Sequence, residues 1–311
     1  MLTLRSVATW LVIVSLSLPF FPARAEEDAP DLPDVEKSKE PTNTKFHYYL
    51  PDTERLRERA FILPPLLSLL LPGMDQWWEG QPRSGLAYST VGVGGIVLMA
   101  YAHSNEDNRY KDFAQQLYLT GGSLSLYHAF RTAVTTRRPV GEFLFLTRYE
   151  TPPDLIGAPI RFDYMLRTTT WVPLLAATVL FFGISPKLNF EGLTFNDFFY
   201  AGSLGYMSGV GEELVFRGYV MPLMMHYTEN ETTAILTSSA IFAGAHGLRF
   251  HHFISAFLFG LYSGWLSQRR DWTLSECIFV HTWWDVLAFL ADYSSHKERA
   301  VLRIPTIQIT F

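Results

Sequence analysis

Cysteine occurs once in the 311 residues, at Cys277, so an intrachain disulfide framework and a cysteine-ligated metal site are both excluded. Set in an apolar run, that thiol reads as a small buried residue. A basic excess is also missing. The net charge of -5 lacks the electrostatic footprint of a nucleic-acid binder, so no nucleic acid is expected as a partner. The chain has no internal repeat and no low-complexity tract. It also lacks the many short alternating segments from which a transmembrane β-barrel is built. No serine or cysteine stands beside a base in a way that suggests a covalent nucleophile.

What is present is continuous apolar sequence. The start, Arg5 followed by the run Val7 to Phe21 and then Ala23, Arg24 and Ala25, has the layout of a secretory signal peptide over 1–25, cleaved after Ala25. Residues 26–59 are rich in Pro, Asp, Glu and Lys and read as an extended, non-cytoplasmic tether. Apolar runs then follow at 60–71, 85–102 and 116–134, the N-terminal membrane helices of a 60–134 region. Pro64, Pro65, Pro72 and Gly73 mark the first run as a half-length or re-entrant element.

The segment 135–167 carries Arg137, Arg138, Arg148, Arg161 and Arg167 and reads as a cytoplasmic loop between two parts of the chain. Five further segments, at 168–184, 195–226, 232–245, 253–266 and 272–291, make up a membrane core over 168–292, with Arg269 and Arg270 on the same side as the first loop. The tail 293–311 ends in an alternating pattern suited to a strand. The expected fold class is therefore all-α, a polytopic transmembrane helical bundle with about seven or eight membrane segments.

Ionisable groups inside such segments need a reason, because charge in hydrocarbon costs at least a few kcal/mol per residue. Glu212, Glu213 and Arg217 lie in one segment, His246 in a second, and His281 with Asp285 in a third. Glu213 and Arg217 are one helical turn apart and suited to an internal ion pair. Glu212 projects about 100° round the helix from Glu213 and can face something else. Gly205 and Gly209, and later Gly260 and Gly264, are small-xxx-small pairs that permit close helix packing.

These are the parts of a hydrolase, and two schemes are open. In one, neutral His246 and His281 ligate zinc together with a carboxylate and an activated water. In the other, His246 orients a water against Glu212, while His281 and Asp285 serve the developing oxyanion.

In order, Glu212-Glu213-x3-Arg217, Phe242-x3-His246 and His281-x3-Asp285 resemble the three motifs of the CPBP intramembrane proteases, the CaaX-protease and bacteriocin-immunity family. The resemblance runs from about Arg167 to Asp292. It implies water activation by Glu212 with His246, an oxyanion role for His281 and residue 285, and supporting roles for Glu213 and Arg217. Position 285, commonly Asn in the family, is Asp here, and a carboxylate cannot donate to an oxyanion as an amide does. Members are described both as zinc enzymes and as glutamate-dependent ones, so zinc at His246 and His281 is an expectation that the resemblance allows.

The chain is thus expected to be an intramembrane endopeptidase, metallo or glutamic in type. Its partners would be the lipid bilayer and a membrane-protein or lipid-associated peptide substrate, in the inner membrane of a bacterium. The alternatives are a non-catalytic membrane binding or immunity module that keeps the same cluster for its structure, and a transporter whose charges line an ion path.

Overall fold

A computed structural model of the chain describes residues 60–105, 108–137, 141–183 and 192–295. The expected signal peptide, the tether and the strand-like tail lie outside the described residues. The described residues are all-helical, and no strand occurs among them.

The helices are α1 (Leu63–Leu70), α2 (Met74–Trp78), α3 (Pro82–Ser104), α4 (Asn108–Arg137), α5 (Pro152–Gly157) and α6 (Thr168–Thr178), followed by α7 (Phe195–Val215), α8 (Met221–Thr228), α9 (Glu231–Ala245), α10 (Phe250–Arg269) and α11 (Ser275–Ser295). Their starts follow local chemistry. Thr194 and Asp197 form a capping box at α7, Thr151 and Asp154 form one at α5, and Asn230 caps α9 through the Thr233 amide. The first apolar run breaks where the sequence suggested. α1 ends before Pro72, and Gly73, at φ 93°, turns the chain into α2. The reversal is held by polar bonds to α4, with Ser125 Oγ accepting from the Gly73 amide and donating to Gln76 Oε1.

α7 does not stop at Val215. It widens into a π-helical turn over Phe216–Val220 and continues as α8. Pro222 has no amide hydrogen to return to the carbonyl of Gly218 and its ring crowds that carbonyl, which a wider turn relieves. Ser238 on α9 donates to the Phe216 carbonyl at 2.8 Å, so that group stays satisfied inside the bundle.

Two features depart from the sequence reading. The segment 135–167, expected as a polar loop, is built into the core: α4 runs on to Arg137, and Phe143, Leu146, Leu155, Ala158 and Tyr164 are buried. Leu155 and Ala158 pack with Tyr88 and Leu124 from the first helices and with Val210, Leu214 and Ile278 from the last. Two of its arginines, Arg148 and Arg167, pair with carboxylates. Arg148 pairs with Asp271 at 3.1 Å, Arg167 joins Arg270 on Glu276, and Glu150 accepts from the amide and hydroxyl of Ser275. The two arginine-bearing connections therefore meet at one end of the bundle.

The second departure concerns the membrane segments. Among the described residues, α3 alone is long and apolar enough to cross a membrane by length and composition. α4, α7, α10 and α11 match or approach its length, but their polar side chains dilute the apolar signal. Those side chains point inward. Arg131, Glu212, Glu213, Arg217 and Glu276 are buried, while Leu86, Ile96, Leu166, Phe195, Leu248 and Phe250 are exposed. This many buried charges is uncommon for a protein in water.

Gly205 and Gly209 allow a close helix contact. A Cβ on Gly209 would stand 2.6 Å from the Thr282 backbone nitrogen, and one on Gly205 would stand 2.7 Å from a Val286 methyl. α7 and α11 therefore touch backbone to backbone, one turn before the glutamates and one residue after His281. Gly260 and Gly264 likewise seat α10 on Ser239 and Ile235 of α9.

Candidate active site

The structure brings all six singled-out residues together. Glu212 and Glu213 come from α7, Arg217 from the π-helical turn, His246 from the C-terminal end of α9, and His281 and Asp285 from α11. Glu213 is fully buried. Its Oε1 lies 2.7 Å from His281 Nδ1 and 3.3 Å from Arg217 NH1. Arg217 donates to the Gly260 carbonyl at 3.2 Å, and its guanidinium lies over the Phe242 ring at 4.4 Å. The first motif's second glutamate and arginine thus form an internal pair that also grips α9 and α10.

Glu212 faces the other way. Its Oε1 accepts from Ser208 at 3.1 Å. Its Oε2 has no hydrogen-bond partner of good geometry, yet lies 3.2 Å from His246 Nε2 and 3.7 Å from His281 Nε2. Asp285 Oδ2 stands 3.6 Å from the same His281 nitrogen.

The ring tautomers follow from the partners. His246 Nδ1 is 2.8 Å from the Phe242 carbonyl, which can only accept, so Nδ1 carries the hydrogen. His281 Nδ1 faces the Glu213 carboxylate and donates in the same way. Both Nε2 atoms are thereby turned toward Glu212 and are available to share a proton or a water with it. His246 and Asp285 are the more open members, with side chains 12% and 15% exposed, against 5% for Glu212. That edge is where a water or a substrate can reach the cluster.

Three contributors were missed from sequence. Ser208 sits one turn before Glu212, the same i, i+4 spacing that marked the other pairs, and was legible on that ground. Ser263, which donates to Glu213 Oε2 at 2.7 Å, and the Gly260 carbonyl lie on α10, which carries none of the three polar motifs. Trp283 donates to the Pro159 carbonyl, and Trp284 packs on Phe181 and Phe259, so both hold helices together. His252 falls in the first turn of α10.

Among the described residues, no three His, Cys, Asp or Glu side chains are grouped so as to hold a metal ion. His246 and His281, the expected zinc ligands, both turn Nε2 toward Glu212 Oε2, at 3.2 and 3.7 Å.

The class this defines is an all-helical protein with an apolar exterior and a carboxylate–histidine cluster buried among its last helices. Residues 193–287 match a family model described as Rce1-like, type II CAAX prenyl endopeptidase Rce1-like. That segment, which spans all six residues, is similar to the Rce1-like CAAX protease family, in agreement with the resemblance drawn from the motifs. Comparison with curated proteins and with solved structures gives no match.

Proposed function

We propose that this chain is an intramembrane endopeptidase that hydrolyses peptide bonds of membrane-associated proteins or peptides with a water activated by Glu212 and His246. The observation that carries the reading is Glu212 Oε2, a buried carboxylate oxygen without a hydrogen-bond partner that faces two imidazole nitrogens. A water placed between Glu212 and His246 can surrender a proton to the pair as it attacks the scissile carbonyl. The same pair can return the proton to the leaving amine. His281, held by Glu213, can donate to the oxygen that develops charge once its Nε2 also carries a proton, and Asp285, a carboxylate 3.6 Å from that nitrogen, favours the doubly protonated ring. Glu213 and Arg217 act as the internal pair that fixes this arrangement.

Every step above is carried by the chain's own side chains and the bound water. The burial of charge supports a polytopic bundle in a bilayer, with the helices beyond α3 crossing by shielding their polar faces from lipid. A bacterial inner membrane is the location that the signal-peptide layout suggests.

The test compares peptides and protein termini from the membranes of cells expressing the intact chain or Glu212→Gln at equal abundance, read by mass spectrometry. Termini that vanish with the substitution identify the substrates. Coincident profiles, with the variant still fulfilling the protein's cellular role, would leave a binding module in place of a protease.

A further inference from the structure

α10 carries none of the three polar motifs, yet one of its faces meets the cluster at three points. The Phe259 ring lies 4.6 Å from the His281 ring, the Gly260 carbonyl accepts from Arg217, and Ser263, 2% exposed, donates to Glu213 Oε2 at 2.7 Å. The spacing of 259, 260 and 263 places all three on one side of a helix. Ser263 is itself held in place, because its carbonyl accepts from the Cys277 thiol of α11 at 3.4 Å.

Glu213 has anchors of two kinds. Arg217 NH1 is 3.3 Å away but makes no hydrogen bond of good geometry, so it supplies charge and little orientation. The well-made bonds are on opposite oxygens, Ser263 to Oε2 and His281 Nδ1 to Oε1, each at 2.7 Å. The last torsion of a glutamate is broad and roughly two-fold, so two bonds at opposite ends are what fix the plane of this carboxylate. Without the serine, the carboxylate is free to rotate both oxygens onto the guanidinium, the bidentate arrangement such pairs favour. His281 Nδ1 would then lose its acceptor.

We propose that Ser263 is a positioning residue that acts through Glu213: it holds the carboxylate so that His281 keeps its hydrogen on Nδ1 and presents Nε2 to Glu212 and Asp285. This deepens the hydrolase reading of the same site and rests on it for its catalytic meaning. The geometric part stands without it. A serine that merely satisfied a buried oxygen would contribute stability and leave the histidine's state unchanged.

The test uses the full chain in detergent with 15N-labelled histidine, and follows the His281 Nδ1–H resonance, assigned by its loss in His281→Gln. The intact chain should give one Nδ1–H signal, shifted as expected for a charge-assisted bond. Ser263→Ala should weaken or split it, Ser263→Thr should restore it, and Ser263→Cys, a weaker donor, should fall between. Should the alanine variant fail to fold, serine against cysteine carries the same comparison. In cleavage of a substrate found by terminus profiling, Ser263→Ala should lower kcat roughly tenfold to hundredfold, the usual loss when a histidine's orienting partner is removed, with KM little changed. An Nδ1–H signal unaltered in Ser263→Ala and Ser263→Cys overturns the proposal, whatever happens to activity. A signal that moves as expected in a chain that cleaves nothing upholds the positioning role and removes the protease reading alone.

Discussion

Gly209→Ala tests how the site is set. The new Cβ would lie 2.4 Å from Thr282 Oγ1, 2.6 Å from Thr282 N and 2.8 Å from Thr282 Cα. The hydroxyl can rotate away, but the two backbone atoms cannot. An ordinary contact of roughly 3.5 Å requires α11 to withdraw from α7 by about an ångström. His281 is the neighbour of Thr282 and moves with it. Its 2.7 Å bond to Glu213 would stretch past hydrogen-bonding range, and its 3.7 Å approach to Glu212 would open further. Overpacking of this kind costs about 1–3 kcal/mol of stability. A misplacement of about 1 Å at a reacting group lowers turnover on the order of 100-fold. Gly202 on the same helix is the control, since a Cβ there meets nothing within 4 Å and an alanine should keep or raise stability. The assay is thermal unfolding of both variants in detergent beside cleavage of an identified substrate. If Gly209→Ala melts and cleaves like Gly202→Ala, close α7–α11 contact is not what places His281, and the reasoning fails.

Arg217→Met should destabilise the fold by about 3–5 kcal/mol, because it leaves Glu213 charged and buried with no cation beside it; a melting temperature within a degree or two of the intact chain would show that the pair is dispensable. Proteolysis should persist after dialysis against a zinc chelator where Glu212 and His246 activate the water by themselves; activity lost on chelation and restored by zinc would bring the metal scheme back in place of the water held by Glu212 and His246.

How much was legible in the sequence varies with the range of the interaction. The i, i+4 pairs, the capping residues, the break at Pro72 and Gly73, and the order of the three motifs are local, and each could be read from spacing alone. That part of 141–167 packs into the core was not legible for a physical reason. The partners of Arg148 and Arg167, Asp271 and Glu276, lie over a hundred positions away along the chain. The long helices after α3 give a weaker apolar signal for a related reason. Residues such as Glu212 and Arg217 dilute an apolar signal, and only the fold reveals that they face inward.

The sequence by itself determined the helical class, the six residues of the cluster and the family they resemble, because helical periodicity and motif spacing are properties of neighbouring residues. Tertiary structure alone decided which oxygen of Glu212 faces the two histidines, which nitrogen of each ring carries its hydrogen, and that Ser263 and Gly260, of a helix with none of the three polar motifs, complete the site. Those outcomes depend on atoms from four helices meeting within about 3 Å, the range at which a hydrogen bond acts. Spacing along one chain does not carry that information.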